Sequence, residues 1–225
     1  MVKINAQLTK LITDLHLSTK RNYLQRMLNE KVKCMAEAKK YGRNYWDGPR
    51  KFGYGGYKFI EGRWKKVAIK IIKKFKLSNK SSILDIGCGK GYLLYEIKKI
   101  LPGIKIRGID ISIYGIKHSH PNIKKDLRIY DARKKLPFRS NSFDLSISIG
   151  CFHNFELENL FLAVKEMVRV SNKHYIAVES YRNEKELFNL QCWALTCNSF
   201  LSQKEWKWVF KKNNYKGLYE LIYFT

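Results

Sequence analysis

Apolar positions follow two different periods along the chain, and their alternation predicts the fold. Short apolar runs at 82–86, 105–111, 126–130, 143–150 and 174–180, and an alternating stretch at 216–224, predict strands. Between them, apolar residues three and four positions apart predict amphipathic helices over 64–76, 93–101, 156–170, 184–190 and 202–212. Strands that alternate with helices form parallel sheets covered on both faces. The pattern therefore predicts an α/β protein with a doubly wound, mostly parallel sheet.

The residues ahead of the first predicted strand form an extension to this pattern. A first helix is predicted from one apolar face made of Leu8, Leu11, Ile12 and Leu15. Ser18 or Thr19 is predicted to cap a second helix. That helix turns four residues inward, namely Tyr23, Met27, Leu28 and Cys34. We assign residues 1–60 to a helical and aromatic N-terminal segment, and residues 61–225 to the main domain.

A strand, a glycine-rich turn and a helix follow one another at 82–101. The turn carries Gly87, Gly89 and Gly91, and glycine allows a ligand to approach bare backbone. The dinucleotide fingerprint G-x-G-x-x-G does not match, because the third glycine comes one residue early and the position that should be small is Tyr92. Asp85, just ahead of the turn, would also repel a pyrophosphate. The turn therefore favours a positively charged nucleoside without a phosphate.

This stretch closely resembles motif I (D-x-G-x-G-x-G) of the class I S-adenosylmethionine-dependent methyltransferases. Further matches follow in the expected order at Asp110, at Asp131-Ala132 and at the loop 136–144. The resemblance covers residues 64–225. It implies a Rossmann-like sheet of seven strands whose last strands form an antiparallel edge. It also implies S-adenosylmethionine as the cofactor and S-adenosylhomocysteine as the product.

The resemblance also implies which residues bind the cofactor. Asp110 ends the second strand, where an acid binds ribose hydroxyls in Rossmann-type sites. By the same resemblance, Ile111 packs on the adenine and Asp131 accepts a hydrogen bond from its amine. The expected cofactor-binding residues are Asp85, Gly87, Cys88, Gly89, Gly91, Asp110, Ile111, Asp131, Ala132 and Ile149.

Candidate catalytic residues follow the later strands, because ligands of open α/β sheets bind at the carboxyl ends of strands. His153 follows the fourth strand and is the leading candidate to accept a proton from the methyl acceptor or to orient it. A capping histidine in a strand–helix turn is the alternative. Glu179, which ends the fifth strand, is the second candidate. The Asn-Pro-Pro-Tyr type of motif is absent after the fourth strand, which argues against adenine-DNA and glutamine substrates.

The acceptor side is predicted from an aromatic loop and two strand ends. Residues 41–64 contain six glycines and eight aromatic residues, and the glycines argue against a regular element. We interpret this loop, with the N-terminal helices, as a lid over the substrate, and an aromatic wall could hold an alkylated ammonium group. Packing of these segments on the core is the alternative. The expected acceptor-contacting residues are Tyr54, Tyr57, Trp64, Asn154, Tyr181 and Arg182.

Composition narrows the class of protein further. The 225 residues carry 44 Lys and Arg against 19 Asp and Glu, a net charge of +25. Such an excess indicates either affinity for nucleic acid or an anionic membrane surface, or the compositional drift of an AT-rich genome. Five scattered cysteines without a C-x-x-C pair predict neither a disulfide framework nor a metal site. No segment is apolar enough to be a membrane span or a signal peptide, so we expect a cytoplasmic protein.

Together these features predict a methyltransferase that transfers a methyl group to an N, O or C nucleophile of a small molecule. An RNA methyltransferase acting on tRNA or rRNA is the first alternative, and the net charge supports it. A non-catalytic protein that binds S-adenosylmethionine is the second. The sequence predicts neither the acceptor nor the oligomeric state.

Overall fold

The computed structural model describes residues 6–55 and 57–225. The start of the predicted N-terminal helix, residues 1–5, and Gly56 of the aromatic loop lie outside the described residues. The strands are β1 (Gln7–Leu8), β2 (Ser82–Ile86), β3 (Lys105–Asp110), β4 (Leu127–Ile129), β5 (Phe143–Ile149), β6 (Ser171–Glu179) and β7 (Leu218–Ile222). The first five helices are α1 (Thr13–Leu17), α2 (Tyr23–Leu28), α3 (Lys31–Ala38), α4 (Arg43–Asp47) and α5 (Lys65–Phe75). The others are α6 (Tyr92–Ile100), α7 (Ile113–Lys117), α8 (Leu157–Val170), α9 (Glu184–Trp193) and α10 (Gln203–Lys212).

The seven strands form one sheet in the order β1-β7-β6-β5-β2-β3-β4. From β2 the chain proceeds outward through β3 to β4, and then returns to add β5, β6 and β7 on the other side. The strand order therefore reverses between β2 and β5, and ligands of doubly wound sheets bind at such a point. The predicted α/β class and the doubly wound sheet are confirmed.

The antiparallel edge expected of the sheet is wrong, because every paired strand is parallel. A long connection through α9 and α10 carries the chain from the end of β6 back to the starting edge of the sheet, so β7 runs parallel to β6. The seventh strand is the N-terminal β1, which adds to the outer edge of β7.

Helices cover both faces of the sheet, and alternate strand residues pack against opposite layers. Ile83 and Leu145 belong to the apolar cluster that contains α5 and α6, whereas the neighbouring Leu84 packs in the cluster that contains α8 and α10. All three side chains are fully buried. Strands buried on both faces read as continuous apolar runs, which is why β2 and β5 could be located in the sequence.

The N-terminal segment differs from its prediction. Leu8 lies in β1 and is exposed rather than on a helix, and α1 begins only at Thr13. Asn22, not Ser18 or Thr19, caps α2 with its side chain. Cys34 is buried as expected, whereas Leu28 is exposed. Pairing with β7 overrides the local helical pattern here, because the sheet edge offers hydrogen bonds to an extended chain.

A buried carboxylate on β7 fixes the start of α1. The side chain of Glu220 accepts hydrogen bonds from the backbone N–H groups of Leu11 (2.6 Å) and Thr13 (2.7 Å), and also from Ile12. The first N–H groups of a helix have no hydrogen-bond partner within the helix, and a carboxylate can accept their hydrogen bonds. Its negative charge also interacts favourably with the positive end of the helix dipole. This single residue therefore ties the N-terminal segment to the sheet.

The aromatic loop contains two short regular elements that its glycines argued against. Helix α4 occupies Arg43–Asp47, and a 3-10 turn occupies Arg50–Phe52. Gly42 and Gly48 flank α4 at its two ends, so the glycines bound this helix rather than preventing it.

Candidate active site

The glycine turn joins β2 to α6 in a backbone conformation that only glycine adopts readily. Gly87, Gly89 and Gly91 have φ angles of 82°, 56° and 74°. A Cβ atom on Gly91 would lie 2.6 Å from Ile123 and 2.8 Å from Leu127, so this glycine allows α6 to pack closely. All the predicted cofactor-binding residues except Gly91 line the cavity described below.

The turn is held in place by the end of β3. The N–H groups of Gly87 and Cys88 both donate to the carbonyl of Ile109, at 2.8 and 3.0 Å. Gly89 N–H donates to one carboxylate oxygen of Asp110, and Ser112 N–H donates to the other, both at 2.8 Å. Each carboxylate oxygen has a further lone pair, so Asp110 could accept hydrogen bonds from a ligand without losing the turn.

Asp85 is buried beneath the turn, and none of the described residues forms a salt bridge with it. Burial, and then the negative charge of Asp110, raise the pKa of Asp85 to about 8. A cation placed beside this carboxyl group would favour its ionised form. This buried carboxyl group is compatible with the positively charged ligand predicted from the sequence, which stays a prediction.

The turn opens into a cavity of about 570 Å³ at the carboxyl ends of the strands. Besides the turn, the predicted cofactor residues that line it are Asp85, Asp110, Ile111, Asp131, Ala132 and Ile149. Arg133 binds both oxygens of Asp131 at 2.8–2.9 Å and holds the pKa of that carboxyl below its usual value. The volume lies within the range of about 300–1,000 Å³ that is usual for small-ligand pockets.

Trp46 of α4 covers the glycine turn, a contact that the sequence analysis did not predict. Its indole N–H donates to the hydroxyl of Ser112 (2.7 Å) and to the carbonyl of Tyr41 (3.0 Å). A Cβ atom on Gly89 would lie only 2.7 Å from the indole ring. The absence of a side chain at Gly89 thus allows the Trp46 ring to lie directly on the turn. Only the richness of the loop in aromatic residues hinted at this contact.

An ion pair also joins the lid to the turn. The ammonium group of Lys90, which lies between the second and third glycines, is 2.7 and 2.8 Å from the two carboxylate oxygens of Asp47. Only 5% of the Lys90 side chain is exposed. A buried ammonium group requires such a partner, so the lid and the turn are electrostatically coupled.

The aromatic residues predicted to wall the pocket all line the cavity, namely Tyr54, Tyr57 and Trp64. Tyr54 accepts a hydrogen bond from the N–H of Leu195 at 2.7 Å, and Tyr57 donates to the hydroxyl of Tyr45 at 2.9 Å. These hydrogen bonds to protein groups fix the positions of the Tyr54 and Tyr57 hydroxyls.

His153 and Glu179 lie together at the ends of β5 and β6, and both line the cavity. The Glu179 N–H donates to Nδ1 of His153 at 3.3 Å, and Nε2 of His153 is 3.5 Å from Oε2 of Glu179. Burial lowers the pKa of His153 to about 3 and raises that of Glu179 to about 7. Among the described residues, no group donates a hydrogen bond to Oε2 of Glu179.

The structure brings one of the other predicted acceptor residues to the cavity and keeps two away. Asn154 lines the cavity. Tyr181 instead forms a bridge with Ser202, and Arg182 is paired with Glu186. The last two residues lie past the end of β6, where the chain has already turned towards α9, so neither contributes to the cavity.

Within residues 6–55 and 57–225, no three His, Cys, Asp or Glu side chains are grouped so that they could hold a metal ion. No helix in the same residues is long and apolar enough to cross a membrane.

Comparisons with known proteins agree with this geometry. A family model described as a methyltransferase domain matches residues 77–214. The mitochondrial arginine-hydroxylase NDUFAF5 of Mus musculus is 30% identical over 109 residues, which are 48% of this chain and 31% of that protein. The sterol 4-C-methyltransferase strm-1 of Caenorhabditis elegans is 31% identical over 134 residues, 58% of this chain and 39% of that protein. The matches thus span only about a third of these relatives.

Solved structures share the fold. A SAM-dependent methyltransferase from Archaeoglobus fulgidus has a TM-score of 0.55 at 20% identity and covers 76% of this chain and 71% of its own. The methyltransferase complex of Haloferax volcanii with the activator Trm112 has a TM-score of 0.54 at 19% identity, covering 65% of each chain. Because the family model matches more than half of the residues, the chain belongs to the methyltransferase domain family, and its sheet has the class I, Rossmann-like fold of these solved structures.

Proposed function

We propose that this protein methylates a small molecule enclosed beneath the N-terminal lid, and that Glu179 accepts the proton that the acceptor releases. One observation carries the proposal: Oε2 of the buried Glu179 side chain accepts no hydrogen bond from the described residues and lies in the same cavity as the glycine turn. A buried carboxyl group with a pKa near neutrality is well matched to proton transfer.

The residues of the turn fit S-adenosylmethionine. Asp85 offers a buried carboxyl group that a cation would ionise, and Asp110 keeps lone pairs for ribose hydroxyls. Ala132 and Ile149 offer apolar surface for the adenine. When bound, the cofactor supplies a methyl group on a sulfonium centre that is already activated for displacement.

His153 acts as a positioning residue rather than as the base. Its Nδ1 accepts a hydrogen bond from the backbone of Glu179, so the proton of the neutral ring is on Nε2, facing the Glu179 carboxylate. With a pKa of about 3, the ring has little tendency to take a second proton at neutral pH. It is therefore suited to fix the orientation of Glu179.

The bond changes balance without a further reactant. The acceptor's N, O or C nucleophile forms a bond to the methyl group as the methyl–sulfur bond breaks, and the acceptor's proton moves to Glu179. The carboxyl group later releases this proton to solvent. The protein contributes alignment, which is worth about 7–11 kcal/mol in well-oriented reactions, and exclusion of water by the lid.

The lid favours a small acceptor over a polymer. Side chains from α1 to Trp64 cover the cavity, and the turn itself lies under Trp46. The relatives named above do not identify an acceptor, since one is a sterol methyltransferase and another an arginine hydroxylase. RNA remains the second candidate, and the net charge of +25 is the observation that favours it.

The test incubates the protein with methyl-labelled S-adenosylmethionine and a cell extract separated into small-molecule and RNA fractions. We expect label in the small-molecule fraction, and a loss of about 100-fold or more in the rate with Glu179→Gln. The control is Glu158→Gln on the exposed face of α8, which should label as the wild type does. Calorimetry with S-adenosylhomocysteine should show equal affinity for all three proteins.

The other outcomes contradict the proposal in different ways. Label in RNA alone would identify an RNA methyltransferase. Binding of S-adenosylhomocysteine without label in either fraction would indicate a non-catalytic binding protein. A fully active Glu179→Gln variant would remove the carboxylate from the mechanism.

A further inference from the structure

Four buried polar side-chain atoms lack a hydrogen-bond partner among the described residues, and all four belong to side chains that line the cavity. They are Nε2 of His16, Nε of Arg21, Oδ1 of Asn154 and Oε2 of Glu179. A buried polar atom without a partner costs about 1–3 kcal/mol. Their concentration in one cavity indicates a ligand that completes their hydrogen bonds.

The four atoms divide into acceptors and donors. Oδ1 of Asn154 and Oε2 of Glu179 follow β5 and β6 and accept hydrogen bonds. Nε of Arg21 is a donor on the N-terminal segment. Nδ1 of His16 lies 3.3 Å from a guanidinium nitrogen of Arg21, and a guanidinium can only donate, so the His16 proton is on Nε2. The ligand must therefore offer proton donors to the strand ends and acceptors to the lid.

Positive charge exceeds negative charge around this part of the cavity. Arg21, Arg26 and Lys31 all lie close enough to Glu179 to lower its pKa. Their hydrogen bonds go to neutral groups: Arg26 binds three backbone carbonyls at 2.8–3.0 Å, and Lys31 binds those of Cys192 and Ala194. Within the described residues, none of the three forms an ion pair closer than 4 Å. Buried charge without a close counter-ion is costly, so an anion would be stabilised here.

The position of Arg21 assigns this anion to the acceptor rather than to the cofactor. Its guanidinium lies 5.3 Å from the ring centre of Trp193 and 5.4 Å from that of Phe224, just beyond β7. The glycine turn lies at the end of β2, and β5 and β6 separate it from β7. Neighbouring strands are about 4.8 Å apart, so the three steps from β2 to β7 place the glycine turn about 14 Å from the end of the cavity near Arg21.

We infer that the acceptor is a small carboxylic acid. Its carboxylate binds Nε of Arg21 and Nε2 of His16, and its nucleophile donates to Glu179. The apolar body packs on Trp193 and Tyr54, whose rings lie 6.2 Å apart beside the cavity. A charged hydrogen bond contributes about 1.5–3 kcal/mol, which makes Arg21 a specificity-determining residue. This inference rests on the proposed function, because it places the acceptor beside the proposed base.

Calorimetry with benzoate tests the inference on the full chain saturated with S-adenosylhomocysteine. Benzamide is the neutral probe of the same shape. We expect benzoate to bind at least about tenfold more tightly than benzamide, and Arg21→Gln to weaken benzoate binding at least about tenfold. Arg139→Gln, the same change on an exposed loop residue, should bind benzoate as the wild type does.

Two further variants separate loss of the anion site from loss of the fold. His16→Leu keeps the bulk of the side chain but removes the second donor, and it should weaken benzoate binding without lowering the melting temperature strongly. Arg21→Lys keeps the charge and should retain more affinity than Arg21→Gln. In the extract assay, the labelled product should be retained by an anion-exchange resin at neutral pH.

The contrary results are distinct from failure of the methyltransferase proposal. Absent benzoate binding, equal affinities for benzoate and benzamide, or a neutral labelled product would overturn the acid acceptor while leaving methyl transfer intact. If Arg21→Gln weakened S-adenosylhomocysteine binding as much as benzoate binding, the anion would be the cofactor's own carboxylate. Failure to bind S-adenosylhomocysteine at all would instead contradict the proposed function.

Discussion

The burial of Asp85, which we propose to serve cofactor binding, lowers the stability of the unliganded fold. In the unfolded chain the pKa of this carboxyl group has its ordinary value of 3.8, whereas burial raises the pKa to about 8 in the folded protein. Between these two values the folded state keeps a proton that the unfolded state has lost. The free energy of unfolding therefore falls as the pH rises through this window.

Asp85→Asn is expected to stabilise the unliganded protein while weakening cofactor binding. The amide needs no proton, so the gain near pH 7 is about 1.4 kcal/mol for each pKa unit crossed, and it disappears near pH 4. Urea unfolding at both pH values measures the gain, and calorimetry with S-adenosylhomocysteine measures the loss. The control Asp14→Asn removes a fully exposed carboxylate and should change little. Equal gains at both pH values would show that Asp85 is not the buried acid described here.

A second prediction at this scale concerns the pH dependence of turnover, which involves Glu179 and His153. Arg21, Arg26 and Lys31 oppose the effect of burial, and the resulting pKa of Glu179 is about 7. Since the base must be ionised, kcat should rise with pH through a midpoint near 7. His153→Ala removes the Nε2–H that faces the carboxylate, so kcat should fall about tenfold and the midpoint should move to higher pH.

A pH–rate profile distinguishes this positioning role from a catalytic or a purely structural one. S-adenosylhomocysteine affinity should remain near that of the wild type. His118→Ala, an exposed histidine outside the cavity, provides the control. A kcat that falls equally at every pH, together with weaker cofactor binding, would mean that His153 only supports the fold.

Elements with strong local signals could be located from the sequence. Strand β2 was predicted with the residues that the structure shows, since a buried parallel strand is a near-continuous apolar run, broken here only by Asp85. Ser202 caps α10 through a capping box with Glu205, as its position suggested. In α5 three residues of the predicted apolar stripe, Ala68, Ile71 and Phe75, are buried.

Elements that depend on distant partners could not be located in this way. Leu8 belongs to an apolar pattern with helical spacing, but in the structure it pairs with Tyr219 of β7, near the other end of the sequence. The direction of β7 depends on how α9 and α10 cross the sheet, which periodicity does not report. Trp46 is held over the glycine turn by a hydrogen bond to Ser112, a residue 66 positions later in the chain that follows β3. In each case a non-local contact outweighs local preference.

Glu220 offers a test of the contact that joins the first helix to the sheet. Glu220→Gln keeps the shape but turns an N–H donor towards the backbone N–H groups of Leu11, Ile12 and Thr13. We expect a loss of about 3 kcal/mol in the free energy of unfolding and faster amide exchange confined to these three residues and their neighbours. Glu158→Gln again serves as the exposed control. Unchanged exchange at Leu11 and Thr13 would contradict this anchoring role.

At the scale of the whole molecule, the N-terminal segment and the main domain are interlocked rather than merely adjacent. The segment adds β1 to the edge of the sheet and contributes Leu11 and Ile12 to the main core. Its helix α4 packs against the glycine turn through Trp46. The strand ends of the sheet therefore line one side of the cavity, and the lid lines the other. Because the lid forms part of this wall, we expect contacts between the lid and the glycine turn to influence how fast a ligand exchanges.

The pair between Lys90 and Asp47 is the lid contact whose loss should be most visible in kinetics. Asp47→Asn leaves the buried ammonium group of Lys90 with a weaker partner, at a cost of about 1.5–3 kcal/mol to the closed lid. Because this cost falls on the closed state, S-adenosylhomocysteine should dissociate at least about tenfold faster, as measured by stopped-flow tryptophan fluorescence. Lys33→Gln breaks an exposed pair with Glu30 and should leave the rate unchanged. An unaltered dissociation rate in Asp47→Asn would mean that the ligand leaves by a route that does not require α4 to move.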